Sequence, residues 1–243
     1  MTTIDFMVRT GWATRAGTAE PSGDAVVVRV LPDGTTAAAV VDGIGHSAEV
    51  AETAGLLAAV AARVTGRRGP LAGLLSAAEL IADTGAGADS EADAVAAVAV
   101  AEPGGEVRVG WIGDCRAYAL EDGGELVQLT HDHNLADQLE LCGYTGEVLR
   151  SAGQWVRTTV ATATVATVGE AWTQAPVVLL TTDGVHDQVP HEEMARLARR
   201  HEDDPQALAD ALVAAATADD SGVRDDATAS VLVLPVRPAT APR

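Results

Sequence analysis

The hydrophobic positions of the chain form short, β-branched runs that alternate with longer segments of helical period. Residues 25–43 contain two apolar runs with a Leu-Pro-Asp-Gly sequence between them, and the runs are too short and too rich in valine for helices. Since turn residues separate the runs, the pattern predicts an antiparallel hairpin that ends at Asp42.

Helical periodicity follows this hairpin. Ser47 can cap a helix that has Glu49 in its first turn, and the apolar residues after it recur at helical spacing. We expect Gly66 to end this helix. A second helix is predicted for residues 71–83.

The remaining elements are mainly strands. Further strands are predicted at residues 94–100, 106–114 and 115–120, with a hairpin turn at 121–124. A strand at 176–182 precedes a helix near 192–200 and another that begins at Asp204-Pro205, and residues 228–236 form the closing strand.

The order of these elements predicts the architecture. Hairpin strands, two consecutive helices and further hairpins indicate an α+β fold in which two antiparallel sheets pack face to face with helices outside. The chain of 243 residues, 47% of them hydrophobic, is within the size range of one domain. We assign residues 1–236 to a single domain and expect residues 237–243, rich in proline and alanine, to be a disordered tail.

Charge and cysteine content exclude several classes of function. The formal net charge of −19 argues against binding to nucleic acid or to an anionic membrane, because clustered basic residues bind phosphate groups. Cys115 and Cys142 form neither a CxxC pair nor a disulfide framework, which fits a reducing cytoplasm. The amino terminus has no basic start before an apolar run, and no segment reaches the roughly 20 apolar residues that a bilayer requires. We therefore expect a protein that is neither exported nor membrane-spanning.

Three aspartates that are far apart in the sequence stand at the ends of apolar runs. Asp42 and Asp183 are each followed by glycine, and Asp225 precedes the final strand. Carboxylates at strand ends, with glycine leaving room for the backbone, supply the hard oxygen ligands that Mg²⁺ or Mn²⁺ prefers. The pattern predicts metal-assisted hydrolysis rather than redox or thiol chemistry. Taken alone, an Asp-Gly pair after an apolar run is also typical of an ordinary turn.

Five motifs in a fixed order carry a resemblance to a known family. They read VVDGIGHS, WIGDCRAY, LTHDHN, LLTTDGV and RDDATASVLVL, and the match extends over residues 23–234. In this order and spacing they resemble the motifs of the metal-dependent protein phosphatases, the type 2C family of serine/threonine phosphatases. The DGIGH form is also similar to the sporulation-type branch, whose members dephosphorylate regulators of alternative sigma factors. The resemblance implies a four-layer α-β-β-α sandwich with a metal centre at one end of the sheets.

The resemblance also implies roles for individual residues. Asp42 matches the carboxylate that two metal ions share, and the Gly43 carbonyl matches a neighbouring ligand of one of them. Asp183 and Asp225 match the remaining ligands of the first metal, and Asp114 matches an aspartate that helps to hold a third, weaker metal in bacterial members. The implied cofactors are two Mn²⁺ or Mg²⁺ ions, with a third at the weaker site. The nucleophile would be a metal-activated water, so no side-chain nucleophile is needed.

Some residues in these motifs have alternative interpretations. Asp114 could instead be a strand-end aspartate held by Arg116. Cys115 stands in place of the usual serine and is interpreted as a small buried apolar residue. His131 and His133 have a spacing that could suggest zinc, but no further cysteine or histidine lies nearby in the sequence to complete such a site.

The amino-terminal part departs from the family pattern. Asp24 is retained, but Gly23 stands where the family has glutamate or glutamine, so the second metal lacks an acidic supporter. The arginine that binds the substrate phosphate would fall on Ala19, which leaves Arg15 either as its replacement or as a solvated surface residue. His46 could protonate the leaving oxygen or cap the following helix. Asp24, His46 and Arg15 are therefore the candidate catalytic residues.

The sequence thus predicts a cytoplasmic, Mn²⁺- or Mg²⁺-dependent phosphatase for phosphoserine and phosphothreonine in proteins, opposing a serine/threonine kinase. One alternative is a phosphatase-like domain that has weakened its second metal site and binds or senses a partner. The substitutions at Gly23 and Ala19 favour that alternative, whereas the intact aspartate set favours the enzyme. Hydrolysis of small phosphate esters is a further alternative.

Overall fold

The architecture is taken from a computed structural model, which describes residues 7–82, 92–135, 139, 142–145, 156–218 and 221–235. The tail predicted at residues 237–243 lies outside the described residues. No helix within the described part of the chain is both long and apolar enough to cross a bilayer.

Ten strands and five helices make up the regular structure of the described residues. The strands are β1 (Arg9–Arg15), β2 (Asp24–Val30), β3 (Thr36–Gly43), β4 (Ala94–Ala101), β5 (Val107–Ile112), β6 (Arg116–Leu120), β7 (Leu126–Gln128), β8 (Gly169–Thr173), β9 (Val177–Thr181) and β10 (Ala227–Val233). The helices are α1 (Ala48–Arg68), α2 (Pro70–Ala78), α3 (Asp183–His186), α4 (His191–Arg200) and α5 (Pro205–Ala215).

The strands form two five-stranded antiparallel sheets. The first sheet has the strand order β1-β10-β9-β6-β7, and the second has the order β2-β3-β4-β5-β8. The predicted hairpin at residues 25–43 is confirmed as β2 and β3, which pair from Asp24 opposite Asp42 to Val30 opposite Thr36.

Three apolar layers hold the sheets and helices together. Along β9 the side chains alternate, as a period of two requires: Val178 and Leu180 pack between the sheets, while Val177 and Leu179 pack under α4 and α5. On the other side of the molecule, Leu57 of α1 packs against the second sheet. This is the predicted α+β sandwich with the layers α-β-β-α, and the prediction of the fold is confirmed.

The first helix differs from the prediction at its end. Ser47 caps it as expected, because its Oγ accepts the N–H of Val50 at 3.1 Å. The helix does not end at Gly66 but continues to Arg68, and Gly69 follows with a φ of 89°. Gly66 has a packing reason instead: a Cβ there would lie 2.9 Å from Cδ1 of Leu31, so glycine lets the helix approach the β2–β3 hairpin.

Candidate metal centre

Strand ends from both sheets meet at one end of the sandwich. In the second sheet, Asp24 begins β2 directly opposite Asp42 at the end of β3. In the first sheet, Thr181 at the end of β9 pairs with Arg116 at the start of β6 and with Ala229 near the start of β10. Asp183, Asp114 and Asp225 lie next to these strand ends in the sequence, so the sheet register brings the predicted aspartates together.

Asp24 connects the two sheets. Its Oδ2 accepts a hydrogen bond from the Thr182 hydroxyl at 2.8 Å, and the Thr182 hydroxyl in turn accepts the N–H of Thr228 at 3.0 Å. Its Oδ1 is buried and has no hydrogen-bond partner among the described residues. Burial raises the pKa of Asp24 to about 7, and the negative charges of Asp226 and Asp225 add to this rise.

Asp42 and Asp183 form a carboxyl pair. Burial raises the pKa of Asp42 well above its usual value, and the charges of Asp183 and Asp24 raise it further. The pKa of Asp183 is raised to about 7, first by burial and then by the charge of Asp225, and hydrogen bonding between the two side chains raises the pKa of Asp42 and lowers that of Asp183. Two buried acids close to each other cannot both ionise cheaply, so each raises the pKa that burial has already raised.

Asp114 lies beside this pair, and Arg116 does not hold it. Burial raises the pKa of Asp114 to about 6, and the charge of Asp132 contributes. The Arg116 guanidinium instead makes two hydrogen bonds to Asp132, of 2.9 and 2.6 Å, and lies 3.9 Å from a carboxylate oxygen of Asp187. The alternative in which Arg116 holds Asp114 is therefore not what the structure shows.

The glycines that follow the two aspartates are there for close packing. A Cβ on Gly43 would lie 2.4 Å from Cγ1 of Val50, and a Cβ on Gly184 would lie 1.9 Å from the carbonyl oxygen of Asp226. Asp225 is exposed and accepts the N–H of Asp226 at 2.8 Å. Both Asp-Gly pairs thus belong to the packed site, not to surface turns.

Arg15 and His46 are the other two candidate catalytic residues. The Arg15 guanidinium donates to the carbonyls of Val213, Ala214 and Ala216, at 3.3, 3.4 and 3.0 Å, and so caps the carboxyl end of α5. His46 is exposed, and Ser47 rather than His46 caps α1. The catalytic roles of both residues stay predictions.

The interpretations of the cysteine and histidine residues agree with their surroundings. Cys115 is buried, and burial raises the pKa of its thiol well above the usual value, as expected for an unreactive side chain. Nδ1 of His133 accepts the N–H of Gly113 at 3.2 Å, and Asp132 between the two histidines is occupied by Arg116.

Sequence reasoning missed two residues of the site, Asp226 and Thr182. Asp226 is buried, and its oxygens accept the N–H groups of Gly17 and Gly23 at 2.6 and 2.7 Å. In the RDDAT motif, Asp225 was selected from the sequence and the adjacent Asp226 was not. Thr182 was interpreted only as part of an apolar strand. An aspartate next to a candidate ligand was the available signal.

The donor set fits a hard divalent cation in its chemistry. Buried carboxylates with raised pKa values and an unpartnered carboxylate oxygen are groups that a cation would compensate. Within the described residues, no three or more His, Cys, Asp and Glu side chains already stand at metal-binding geometry.

No protein-family model matches the chain, and a search of curated proteins found no match. Among solved structures, the serine/threonine phosphatase of S. agalactiae superposes with a TM-score of 0.79 at 14% identity, covering 93% of this chain and 99% of the other.

Two further structures were solved with ligands. The catalytic domain of the serine/threonine phosphatase PstP, in complex with 2 manganese ions, has a TM-score of 0.73 at 19% identity and covers 94% of this chain and 99% of its own. The PPM Ser-Thr phosphatase MsPP from Mycobacterium smegmatis, in complex with cacodylate, has a TM-score of 0.70 at 22% identity, with coverages of 93% and 98%. The chain is therefore similar in fold, over nearly its whole length, to bacterial PPM-type serine/threonine phosphatases, as its five motifs implied.

Proposed function

We propose that the chain is a metal-dependent phosphatase that hydrolyses phosphoserine and phosphothreonine in proteins, with Mn²⁺ or Mg²⁺ as cofactor. The observation that supports this most is the meeting of Asp24, Asp42, Asp114, Asp183 and Asp225 at one end of the sandwich. Their order along the chain is that of the phosphatase motifs, and the fold is that of enzymes named as such phosphatases.

The residues at this end of the sandwich would have different roles in binding the cations. Asp42, Asp183 and Asp225, with the Gly43 carbonyl, would hold two cations, and Asp114 would help to hold a third. When bound, such cations supply an activated water and compensate the charge of the phosphoryl oxygens. Thr182 fixes the orientation of Asp24 through its hydroxyl hydrogen bond. Without compensation, the carboxylates would repel a phosphate dianion, so we expect substrate binding to require the cofactor.

A binding or regulatory domain is the second candidate function. Gly23 provides no carboxylate, and Arg15 is engaged by the carboxyl end of α5. Both observations favour a domain that has lost phosphate capture and the tight second metal. The retained carboxylates from both sheets favour the enzyme.

Metal titration run beside initial rates distinguishes the two candidates. We expect calorimetry with Mn²⁺ to show one tight and one weaker site, and hydrolysis of an aryl phosphate and of a phosphopeptide to follow occupancy of the weaker site. A single metal cannot both hold the phosphate and share in activating the water. Rates that saturate with the tight site alone would refute the two-metal mechanism.

The same titration has an outcome for each alternative. Full occupancy of both sites without cleavage of either substrate would establish the binding domain. Cleavage of the aryl phosphate but of no phosphopeptide would instead favour small phosphate esters as substrates. Activity that persists in excess chelator would contradict any metal-dependent function.

A further inference from the structure

The carboxylate of Asp226 joins two distant parts of the chain. Its Oδ1 accepts the N–H of Gly17 at 2.6 Å, and its Oδ2 accepts the N–H of Gly23 at 2.7 Å, across separations of 209 and 203 residues. The residue is only 6% exposed. Both oxygens are thus used in short, charge-assisted hydrogen bonds to backbone amides.

The segment that Asp226 holds, residues 17–23, lies against the candidate metal centre. The Gly23 carbonyl accepts the N–H of Gly43 at 3.1 Å. A Cβ on Gly23 would lie 2.9 Å from the carbonyl oxygen of Gly43 and 3.0 Å from that of Gly45. The backbone at position 23 therefore touches the carbonyls that follow Asp42, and a side chain there would displace them.

The same segment also leads directly into Asp24. Within the segment, Thr18 donates its N–H to the carbonyl of Arg224 at 2.8 Å, and the Arg224 guanidinium donates to the carbonyl of Ala16 at 2.8 Å. These contacts fasten the segment to the residues just before β10, which include the candidate ligand Asp225. A shift of Asp226 would therefore move both the segment 17–23 and the residues around Asp225.

The geometry points to Asp226 as a positioning residue for the cation that the Asp42 and Gly43 side of the centre would hold. It positions that side through Gly23, where the family pattern has glutamate or glutamine. The inference rests on the proposed function for the identity of the cation. The inference concerns binding of the cation and not the chemical step, because both oxygens of Asp226 already accept hydrogen bonds from backbone amides.

Asp226→Asn tests the role with little change in size. An amide has a single acceptor oxygen, and its NH₂ would face an N–H donor, so one of the two hydrogen bonds must break. Partners that orient metal ligands typically change metal affinity by about 10- to 100-fold when they are replaced. We expect Asp226→Asn to weaken the lower-affinity Mn²⁺ site by about tenfold or more, measured by calorimetry with Mn²⁺ alone.

Asp33→Asn is the matched control. Asp33 accepts the N–H of Thr35 at 2.9 Å in the turn between β2 and β3, at the far end of the same hairpin. The substitution removes the same charge, but an amide oxygen can still accept this single N–H, and we expect the Mn²⁺ affinity of Asp33→Asn to equal that of the unaltered protein. Unchanged Mn²⁺ binding in Asp226→Asn, or an equal loss in Asp33→Asn, would overturn the inference.

Amide hydrogen exchange of the unaltered protein gives a test that does not depend on the variant's folding. Because coupling between two sites is reciprocal, saturating Mn²⁺ should slow exchange of peptides that contain Gly17 and Gly23. Exchange in the turn at Asp33 should not change. If Mn²⁺ leaves the first segment's exchange unaltered, Asp226 does not position the cation. Neither measurement requires phosphatase activity, so failure of the proposed function would be recognised separately.

Discussion

At the scale of single residues, burial and mutual repulsion govern the aspartates of the candidate centre. Asp24 and Asp183 have pKa values raised to about 7, and burial also raises the pKa of Asp42 well above its usual value. Such values are costly for the metal-free protein, because a buried acid near other acids keeps its proton into the neutral range. A divalent cation would replace these protons, so the residues are arranged for function at the expense of stability.

Asp183→Asn and Asp225→Asn should each lower metal-dependent hydrolysis of an aryl phosphate by more than about a hundredfold. This exceeds the effect typical of replacing a residue that only hydrogen-bonds to a metal ligand. An amide is a weaker ligand for a hard cation than a carboxylate. In chelator, Asp183→Asn should unfold at the same or a higher temperature than the unaltered protein, because one repelling carboxylate is gone. Initial rates and thermal unfolding measure the two effects.

The control for these variants is Asp122→Asn, an exposed residue in the turn between β6 and β7. It should keep full activity. Full activity in Asp183→Asn or Asp225→Asn would contradict the ligand assignment, and a large fall in the unfolding temperature would mean that the loss of activity reflects misfolding.

Arg15→Ala distinguishes helix capping from phosphate capture. The guanidinium contacts three carbonyls at the carboxyl end of α5, so we expect a loss of about 1 kcal/mol in the free energy of unfolding. The KM for a phosphopeptide should change less than about twofold. A rise in KM of about tenfold, the size expected for losing a charge-assisted contact, would instead assign Arg15 to the phosphate.

Arg29→Ala serves as the comparison for this variant. Arg29 is exposed on β2, the next strand along the chain, and its removal changes the net charge equally. Neither the unfolding free energy nor KM should change in Arg29→Ala. Equal effects in the two variants would show that overall charge, not a specific contact, is responsible.

At the scale of elements, glycines decide how closely helices and strands approach. Gly73 of α2 packs against α1: a Cβ there would lie 1.9 Å from the Thr65 hydroxyl and 2.9 Å from the carbonyl of Ala61. Gly55 of α1 has nothing within 4 Å of the corresponding position. Gly73 therefore allows α1 and α2 to pack closely, whereas Gly55 has no packing role.

Gly73→Ala and Gly55→Ala should shift stability in opposite directions. We expect Gly73→Ala to lose about 1–3 kcal/mol, because the two helices must separate to admit the methyl group. Gly55→Ala should gain about 0.5–1 kcal/mol, since alanine is the better helix former where space allows. Denaturant unfolding measures both, and a gain in Gly73→Ala would contradict the close packing of α1 and α2.

At the scale of the whole molecule, the carboxylates couple stability to pH and to metal. The raised pKa values of Asp24, Asp42 and Asp183 mean that the folded, metal-free protein binds more protons than the unfolded chain at intermediate pH. This contribution to stability is lost as pH rises through the folded pKa values. His186 acts oppositely: burial lowers its pKa, so its contribution grows with pH up to its ordinary value of about 6.5.

Above about pH 6.5 the aspartates should therefore dominate the pH dependence. We expect the unfolding temperature of the metal-free protein to fall between about pH 6.5 and pH 8, and Mg²⁺ to raise it most at the upper end, where the carboxylates are ionised. Thermal scans in chelator and in Mg²⁺ measure this. The slope should be smaller in Asp24→Asn, and a metal-free protein that gains stability over this range would contradict the raised pKa values.

The sequence by itself determined the order and type of most elements. Turn residues between valine-rich runs specified the β2–β3 hairpin, and Ser47 and Asp204 specified the starts of α1 and α5, because caps and turns depend on neighbouring residues. The five ordered motifs also pointed to the fold and to the aspartates that meet at the centre. These features are local, so they leave a signature in the sequence.

Only the tertiary structure decided the partners of residues that are far apart in the chain. Asp226 holds Gly23, Arg116 is taken by Asp132 rather than Asp114, and Arg15 caps α5. Gly66, expected to end a helix, is instead a point of contact with Leu31. A hydrogen bond across some two hundred residues depends on how strands register and sheets pack, and no short stretch of sequence carries that information.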